Sequence, residues 1–535
     1  VSIVVPTRAV HAPGEPVEVD LEPAASTACE VIVTRLAEEV ARVQVRPGQS
    51  RVELGTFPVG GYGVAVGQAT TAFDVLEDRW ARPRYGFVAR LDGSMPVRDV
   101  QRMFRRFHLN AAQLYDWAYR HSMLLPPQEV YLDPLGQQRD LGAISALARE
   151  LSVVGVEPLG YVAVYAIGVD EVPAWSDALL LRPDGNPYRL GEDFLVLVDP
   201  GHERWRAHLL DQLEQVVQDT AIRGFHLDQY GWPKVARRGD GATVDLATSF
   251  TGLIESVRSR LPEAPFMFNN VNDFPTHATA TAPQSATYIE VWDPHTTLRD
   301  LGELASRARQ RRPEHPPILS AYLSCYAVAP EESATRAAML VLATAASHGA
   351  THLLLGEDGH ALTDPYYPRN HTLAPESVEA LVAWYDFVVR HGDLLYDPAA
   401  VDVTRHYTGG INEDVVVRAG ELRVGVDPEA GALWTRVVRT PLGWVVHLIN
   451  LCDQHDTAWD APKAPVEPVV GARIRLSFAD DATTVRAASP ELPDLVLLEP
   501  LGRVRGHQDD ALSAGQGGVE FELPPLGLWT VVWIS

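Results

Sequence analysis

The stretch "GFHLDQYGWP" (224–233) begins as a buried strand, ends as a turn, and carries an aspartate where the strand runs out. Side chains alternate along a strand, so Gly224, His226 and Asp228 share one face while Phe225 and Leu227 take the other. An isolated Asp before a Tyr-Gly turn is ordinary turn chemistry. What surrounds it decides the reading, and seven further stretches have the same texture. They are "YGFVARL" (85–91), "NAAQLY" (110–115), "EPLGYVAVYA" (157–166), "PFMFNNVN" (265–272), "TYIEVWD" (287–293), "PPILSAYLS" (316–324) and "ATHLLLGE" (350–357). Helical patterns separate them, among them "LGAISALARELSVVG" (141–155) and "ERWRAHLLDQLEQVVQDTAI" (203–222), the second without internal Gly or Pro. Eight strands with helical crossovers predict an α/β protein centred on a (β/α)8 TIM barrel. In that architecture functional side chains come from the C-terminal strand ends and the loops after them.

Outward from this core the texture changes twice. Before it, short alternating stretches such as "VEVDLE", "CEVIVTRL" and "GYGVAVG", separated by Pro and Gly, predict a small antiparallel β-sandwich over 1–80. The barrel is expected over 81–396. After it, "DVVVRAG", "WTRVVRT", "GWVVHLINL", "ARIRLSF", "DLVLLEP" and "LGLWTVVWIS" predict a C-terminal β-sandwich over 397–535. Three domains suit 535 residues.

Composition narrows the partners. A formal net charge of −25 disfavours nucleic acid and anionic lipid surfaces but leaves neutral ligands unaffected. No apolar run reaches the ~18 residues of a membrane span. The most apolar segment, "AAMLVLATAAS", reads as a buried helix. Cys29, Cys325 and Cys452 are too few and too scattered for a disulfide framework or a metal site. The histidines His108, His121, His226 and His295 lack short paired spacing, and no glycine-rich phosphate loop is present, so neither metal nor cofactor is expected.

Polar and aromatic residues collect at the strand ends. They include Asp92; Tyr115, Asp116 and Trp117; Tyr165; Asp228, Gln229 and Tyr230; Asn269, Asn270 and Asn272; Glu290, Trp292 and Asp293; and Glu357 with Asp358. Carboxylates and amides can hold sugar hydroxyls, aromatic rings can cover sugar faces, and glycoside cleavage needs two carboxyl groups with separate tasks. Carbohydrate chemistry is the class this rim predicts.

Five ordered segments sharpen it: "FHLNAAQLYDWAYRHSMLLPP" (107–127), "GFHLDQYG" (224–231), "YIEVWDP" (288–294), "GEDGHALTDPYYP" (356–368) and "VVHLINL" (445–451). Together they resemble glycoside hydrolase family 66, which contains endo-dextranases and cycloisomaltooligosaccharide glucanotransferases. The resemblance implies an immunoglobulin-like N-terminal domain, the barrel and a C-terminal sandwich. It also implies a retaining enzyme acting on α-1,6-glucan, with Asp228 as nucleophile, Glu290 as acid/base and Asp116 holding the sugar at the point of attack. Tyr115, Trp117, Tyr165, Gln229, Asn270, Trp292, Glu357, Tyr366 and Tyr367 complete the expected substrate-binding set. Acceptor surfaces are expected in the loops 166–194 and 231–245, through Trp175, Tyr188 and Trp232.

Transferases of the family often carry a carbohydrate-binding module late in the barrel, whereas "SHGATHLLLGEDGH" (347–360) runs straight into the eighth strand. That leans the expectation slightly toward endo-dextranase, with the glucanotransferase as the alternative and a non-catalytic glucan-binding protein as a remote third. A polysaccharide substrate implies a secreted protein. The terminus itself, beginning at Val1 without a basic or apolar leader, names no compartment.

Overall fold

The computed structural model describes residues 1–504 and 517–535. Eight parallel strands run in sequence order around one sheet: β1 (Tyr85–Val88), β2 (Ala111–Leu114), β3 (Glu157–Ala163), β4 (Gly224–Asp228), β5 (Phe266–Val271), β6 (Ala286–Glu290), β7 (Ile318–Ser320) and β8 (Thr351–His352). All eight lie within or beside the stretches read from the sequence. The last is only two residues long, and a single bridge between Phe87 and Gly356 joins its continuation to β1. The barrel is therefore closed, but weakly at that seam.

Alternation sorts the strand residues into two cores. Tyr85, Phe87, Leu159, Met267, Tyr288 and Ile318 fill the barrel interior. Leu114, Val162, Phe225, Phe268, Ile289 and Leu319 face outward and pack with the helices. The crossovers are α1 (Val97–Arg106), α2 (Leu141–Val153), α3 (Glu203–Asp219), α4 (Leu246–Arg260), α5 (Thr276–Thr279), α6 (Leu298–Arg311), α7 (Glu331–Ser347) and α8 (Pro375–Arg390). Local chemistry sets several of their starts: Asp140 and Asp245 accept from Ala143 and Ala247 backbone N–H groups, and Thr297 with Asp300 forms a capping box. Helix α5 is a single turn, so the fifth crossover is mostly loop. Helix α7 holds the apolar segment and is buried almost throughout, because α6, α8 and the strand Gly443–Asn450 cover it.

Before the barrel, a three-stranded and a four-stranded antiparallel sheet share one apolar core that includes Val19, Val33, Val52, Tyr62 and Phe73. After it, two further sheets share another, built from Val417, Val437, Leu448, Ile474, Phe521 and Val532. Among the described residues no helix is long and apolar enough to cross a membrane.

Arg84, one residue before β1, ties the N-terminal sheets to the barrel. Its guanidinium donates to both carboxylate oxygens of Asp74 at 2.8 and 3.0 Å and to the His108 carbonyl at 2.5 Å, with both side chains buried. Removing one partner of a buried pair strands the other charge in a low-dielectric interior, at about 3–5 kcal/mol. Asp74→Ala is accordingly expected to lower the urea midpoint by that equivalent. An unchanged midpoint would mean that water reaches Arg84.

Candidate active site

A cavity of about 670 Å³ opens at the C-terminal ends of the strands. Asp228 is the last residue of β4 and Glu290 the last of β6, both on the inward face of the barrel and each 9% exposed. Between them, Asn269 on β5 points inward as well. Its amide nitrogen donates to Asp228 Oδ1 at 2.6 Å and to Glu290 Oε2 at 2.8 Å. Two bonds to one nitrogen hold these carboxyl oxygens no more than about 5.4 Å apart.

The outer oxygens are also engaged. Tyr161 on β3 donates its hydroxyl to Asp228 Oδ2 at 2.7 Å, and Tyr322 beyond β7 donates to Glu290 Oε1 at 2.9 Å. Burial pushes both carboxyls above their ordinary range, and the negative charge of Asp228 pushes Glu290 up further. Hydrogen bonds from Tyr161 and Asn269 counter the shift at Asp228 by favouring its ionised form. The pair is therefore arranged to hold one proton, on Glu290, with Asp228 ionised. A tyrosine hydroxyl can donate or accept, so Tyr322 serves Glu290 in either state.

The floor is aromatic. His226, two residues before Asp228 on the same face, stacks with Tyr85 and Tyr161 and meets Tyr288 edge-on. Burial lowers its pKa to about 3, so it is a neutral ring, bonded to the Tyr85 hydroxyl through Nδ1 at 3.1 Å. Opposite Glu290, Asp116 lines the cavity with a left-handed backbone (φ 46°), and Arg139 fixes its carbonyl at 3.0 Å. Burial, with the charge of Asp133 adding to it, raises the Asp116 carboxyl to about 7. A non-glycine residue in this region costs of the order of 1 kcal/mol and persists where its surroundings impose it.

The structure divides the expected binding set. Tyr115, Asp116, Gln229, Trp292, Tyr366 and Tyr367 line the cavity, and Tyr115 stacks on Tyr367 at 4.4 Å between ring centres. Gln229 acts there as a brace, its nitrogen donating to the Asn269 and Phe274 carbonyls and its oxygen accepting from Gly231.

Four expectations are corrected. Asn270 lies on the outward face of β5, where it donates to the Tyr288 carbonyl at 2.8 Å and accepts from Thr279, so it braces the barrel wall. Trp117 is fully buried among the helices and donates to the Tyr161 carbonyl at 3.1 Å. Tyr165 is fully buried; its hydroxyl donates to the Trp232 carbonyl and accepts from the Tyr230 N–H. Glu357 lies outside this cavity, its carboxylate taking the N–H groups of Ala89 and Arg90 across the barrel seam, with burial raising its pKa to about 7.

Of the expected acceptor residues, Trp232 lines the cavity with Tyr188 packed near it. Trp175 does not: it packs edge-on against Trp205 at 5.0 Å under the third loop. The residues missing from the expected set are Asn269, Tyr161 and Tyr322. Strand parity carries the signal for the first two, because both share the inward face with their carboxylate neighbours Asp228 and Glu290.

A barrel with paired carboxyls held a few ångströms apart in an aromatic cavity is a glycosidase-type site. Residues 8–533 match glycosyl hydrolase family 66, and the chain belongs to that family. Two cycloisomaltooligosaccharide glucanotransferases of Niallia circulans are each 20% identical to it, over 89% and 91% of this chain. The chain spans 64% of the length of these relatives. The fold also matches a crystal structure of a Paenibacillus sp. cycloisomaltooligosaccharide glucanotransferase complexed with cycloisomaltoheptaose. That match has a TM-score of 0.86 at 18% identity over 99% of both chains.

Proposed function

We propose that this enzyme cleaves α-1,6-glucan with retention, Asp228 acting as nucleophile and Glu290 as acid/base, and that it resolves the intermediate chiefly by transfer to a sugar hydroxyl. The observation that carries the reading is the carboxyl pair bridged by the Asn269 nitrogen. The bound on the separation of its facing oxygens supports the ~5–5.5 Å of a double displacement over the ~6.5–9.5 Å of an inverting pair.

In the first step Glu290 gives its proton to the glycosidic oxygen while Asp228 attacks the anomeric carbon. The C–O bond to the leaving sugar breaks as the ester to Asp228 forms. Esterification removes the charge of Asp228, so the pKa of Glu290 falls, and Glu290 can then take a proton from the incoming hydroxyl. That hydroxyl belongs either to water or to a sugar. A held sugar competes well, since effective molarities of positioned groups reach ~10⁵ M. Trp232, Trp292 and Phe274 give the cavity apolar surface on which an acceptor ring can rest.

The names of the relatives favour cycloisomaltooligosaccharide glucanotransferase over endo-dextranase, reversing the slight lean drawn from the uninterrupted run into β8. Endo-dextranase stays as the second reading on that observation. A purely glucan-binding role would need no such carboxyl pair. On the same footing we divide the chain into an immunoglobulin-like domain (1–80), the barrel (81–396) and a C-terminal sandwich (397–535), and assign the enzyme to the outside of the cell, where polysaccharide is met.

A time course of products from dextran tests the reading. Cyclic α-1,6 oligosaccharides are expected from the earliest points, in a proportion independent of dextran concentration. Linear products alone would favour endo-dextranase, and a β-anomer formed first would remove Asp228 as nucleophile.

A further inference from the structure

His447 of "VVHLINL" and the Ser347–Gly349 turn of "SHGATHLLLGEDGH" line a small cavity of about 110 Å³ that is separate from the catalytic one. Arg309 near the end of α6, and Asp402 and Arg436 of the C-terminal sheet, share its wall. Helices α6 and α7 end shortly before β7 and β8 begin, so this cavity lies at the N-terminal end of the barrel, against the C-terminal sandwich. The reacting pair stands at the other end. The volume has room for a few waters or one small ion, and is well under the ~300 Å³ at which pockets for drug-sized ligands begin.

Unused donors line it. The Trp529 indole N–H donates to His447 Nδ1 at 3.4 Å, so the imidazole proton sits on Nε2. His447 is 2% exposed, burial keeps it neutral, and its Nε2 has no hydrogen-bond partner among the described residues. Arg436 donates from Nε to the Ser347 carbonyl at 2.7 Å and from Nη1 to Asp402 at 2.6 Å, which leaves Nη2 without a partner there. His348 is engaged elsewhere: Nδ1 donates to the Thr344 carbonyl at 2.8 Å, and Nε2 lies against Gly302 of α6.

Nor do the charges cancel. The wall carries two guanidinium groups and one carboxylate, Asp402, which Arg436 already engages. Arg309 donates to the carbonyls of Gly349, Tyr396 and Asp397 and pairs with no carboxylate; Asp397 and Glu314 act on it only from a distance. In a chain of net charge −25 this is a local excess of positive charge. A cation is repelled there, and a sugar is too large. A small oxyanion brings what the wall lacks, acceptors with a negative charge. We infer that the cavity binds one inorganic oxyanion of the phosphate or sulfate type, held by Arg309 of the barrel and by Arg436 and His447 of the sandwich. The anion then joins the two domains where their guanidinium groups would otherwise repel each other.

Calorimetric titration of the full chain with inorganic phosphate, at constant ionic strength in chloride, tests this. One phosphate per chain is expected. His447→Phe keeps a ring beside Trp529 but removes the Nε2 donor, and should weaken binding about tenfold or more, the weight of a hydrogen bond to a charged group. Gln310 lines the cavity, is exposed and makes no side-chain hydrogen bond among the described residues, so its variants should fold. Gln310→Lys should tighten phosphate binding and Gln310→Glu should weaken it. Phosphate should also raise the Tm of wild type more than that of His447→Phe, which separates a bound ion from the general effect of the salt. Absence of saturable binding to wild type would leave the cavity to water only and overturn the site. Saturable binding with the same affinity in both Gln310 variants would place the ion elsewhere and overturn it equally, whether or not His447→Phe folds.

Discussion

Asp228→Asn is expected to lower kcat/KM on dextran by about 10⁴-fold or more, because an amide cannot form the glycosyl ester. Isomaltooligosaccharide binding should persist. Both oxygens of Asp228 accept hydrogen bonds, one from Asn269 and one from Tyr161, so an asparagine must turn its NH₂ group toward one of these donors. The Tyr161 side is the tolerable choice, since its hydroxyl can reverse and accept, whereas the Asn269 nitrogen cannot. Fluorescence or calorimetric titration with isomaltoheptaose checks that the variant still binds. Turnover within tenfold of wild type would remove Asp228 from the chemistry.

Glu290→Gln is expected to cost about 10²–10⁴-fold on dextran, the usual contribution of a placed general acid. Glutamine imitates the protonated acid, its nitrogen toward Tyr322 and its oxygen toward Asn269, but it has no proton to give. Formation of the glycosyl-enzyme from a nitrophenyl α-isomaltoside should therefore stay fast, because that leaving group departs unprotonated, and it should appear as a burst.

The pH profile carries the same signature. On the proposed roles, the acid limb of kcat/KM in wild type should report Asp228 losing its charge, and the alkaline limb Glu290 losing its proton. Burial and the charge of Asp228 raise Glu290, so activity extends toward neutral pH and falls as pH climbs through that raised value. The two limbs belong to the pair as macroscopic constants. On the activated substrate Glu290→Gln should keep the acid limb and lose the alkaline one. An alkaline limb that survives would assign the acid to another group.

The eight strands were legible because each combines an apolar run with the turn chemistry that ends it, and Asp228 and Glu290 stood out as carboxylates at the ends of buried strands. Asn269 and Asn270 mark where that reading stopped. They are adjacent and chemically identical, and only the phase of alternation separates a residue that serves two carboxyls from one that braces the wall. Tyr161 was hidden for a similar reason, since a tyrosine inside "EPLGYVAVYA" reads as core until its hydroxyl is found on Asp228. Trp117 and Tyr165 err the other way. Both follow strand ends, where the alternation no longer applies, and the loops fold them beneath the rim.

An amide nitrogen has two hydrogens, and in Asn269 both are engaged by the carboxyl pair. The distance between the two carboxyls is thus set largely by the bond angle at one planar atom, held on the middle one of three adjacent strands. The surrounding loops do not define it. Loop length and cavity shape can then drift over evolutionary time without disturbing the carboxyl pair, whereas any lineage that widened the carboxyl gap would first have to give up this asparagine.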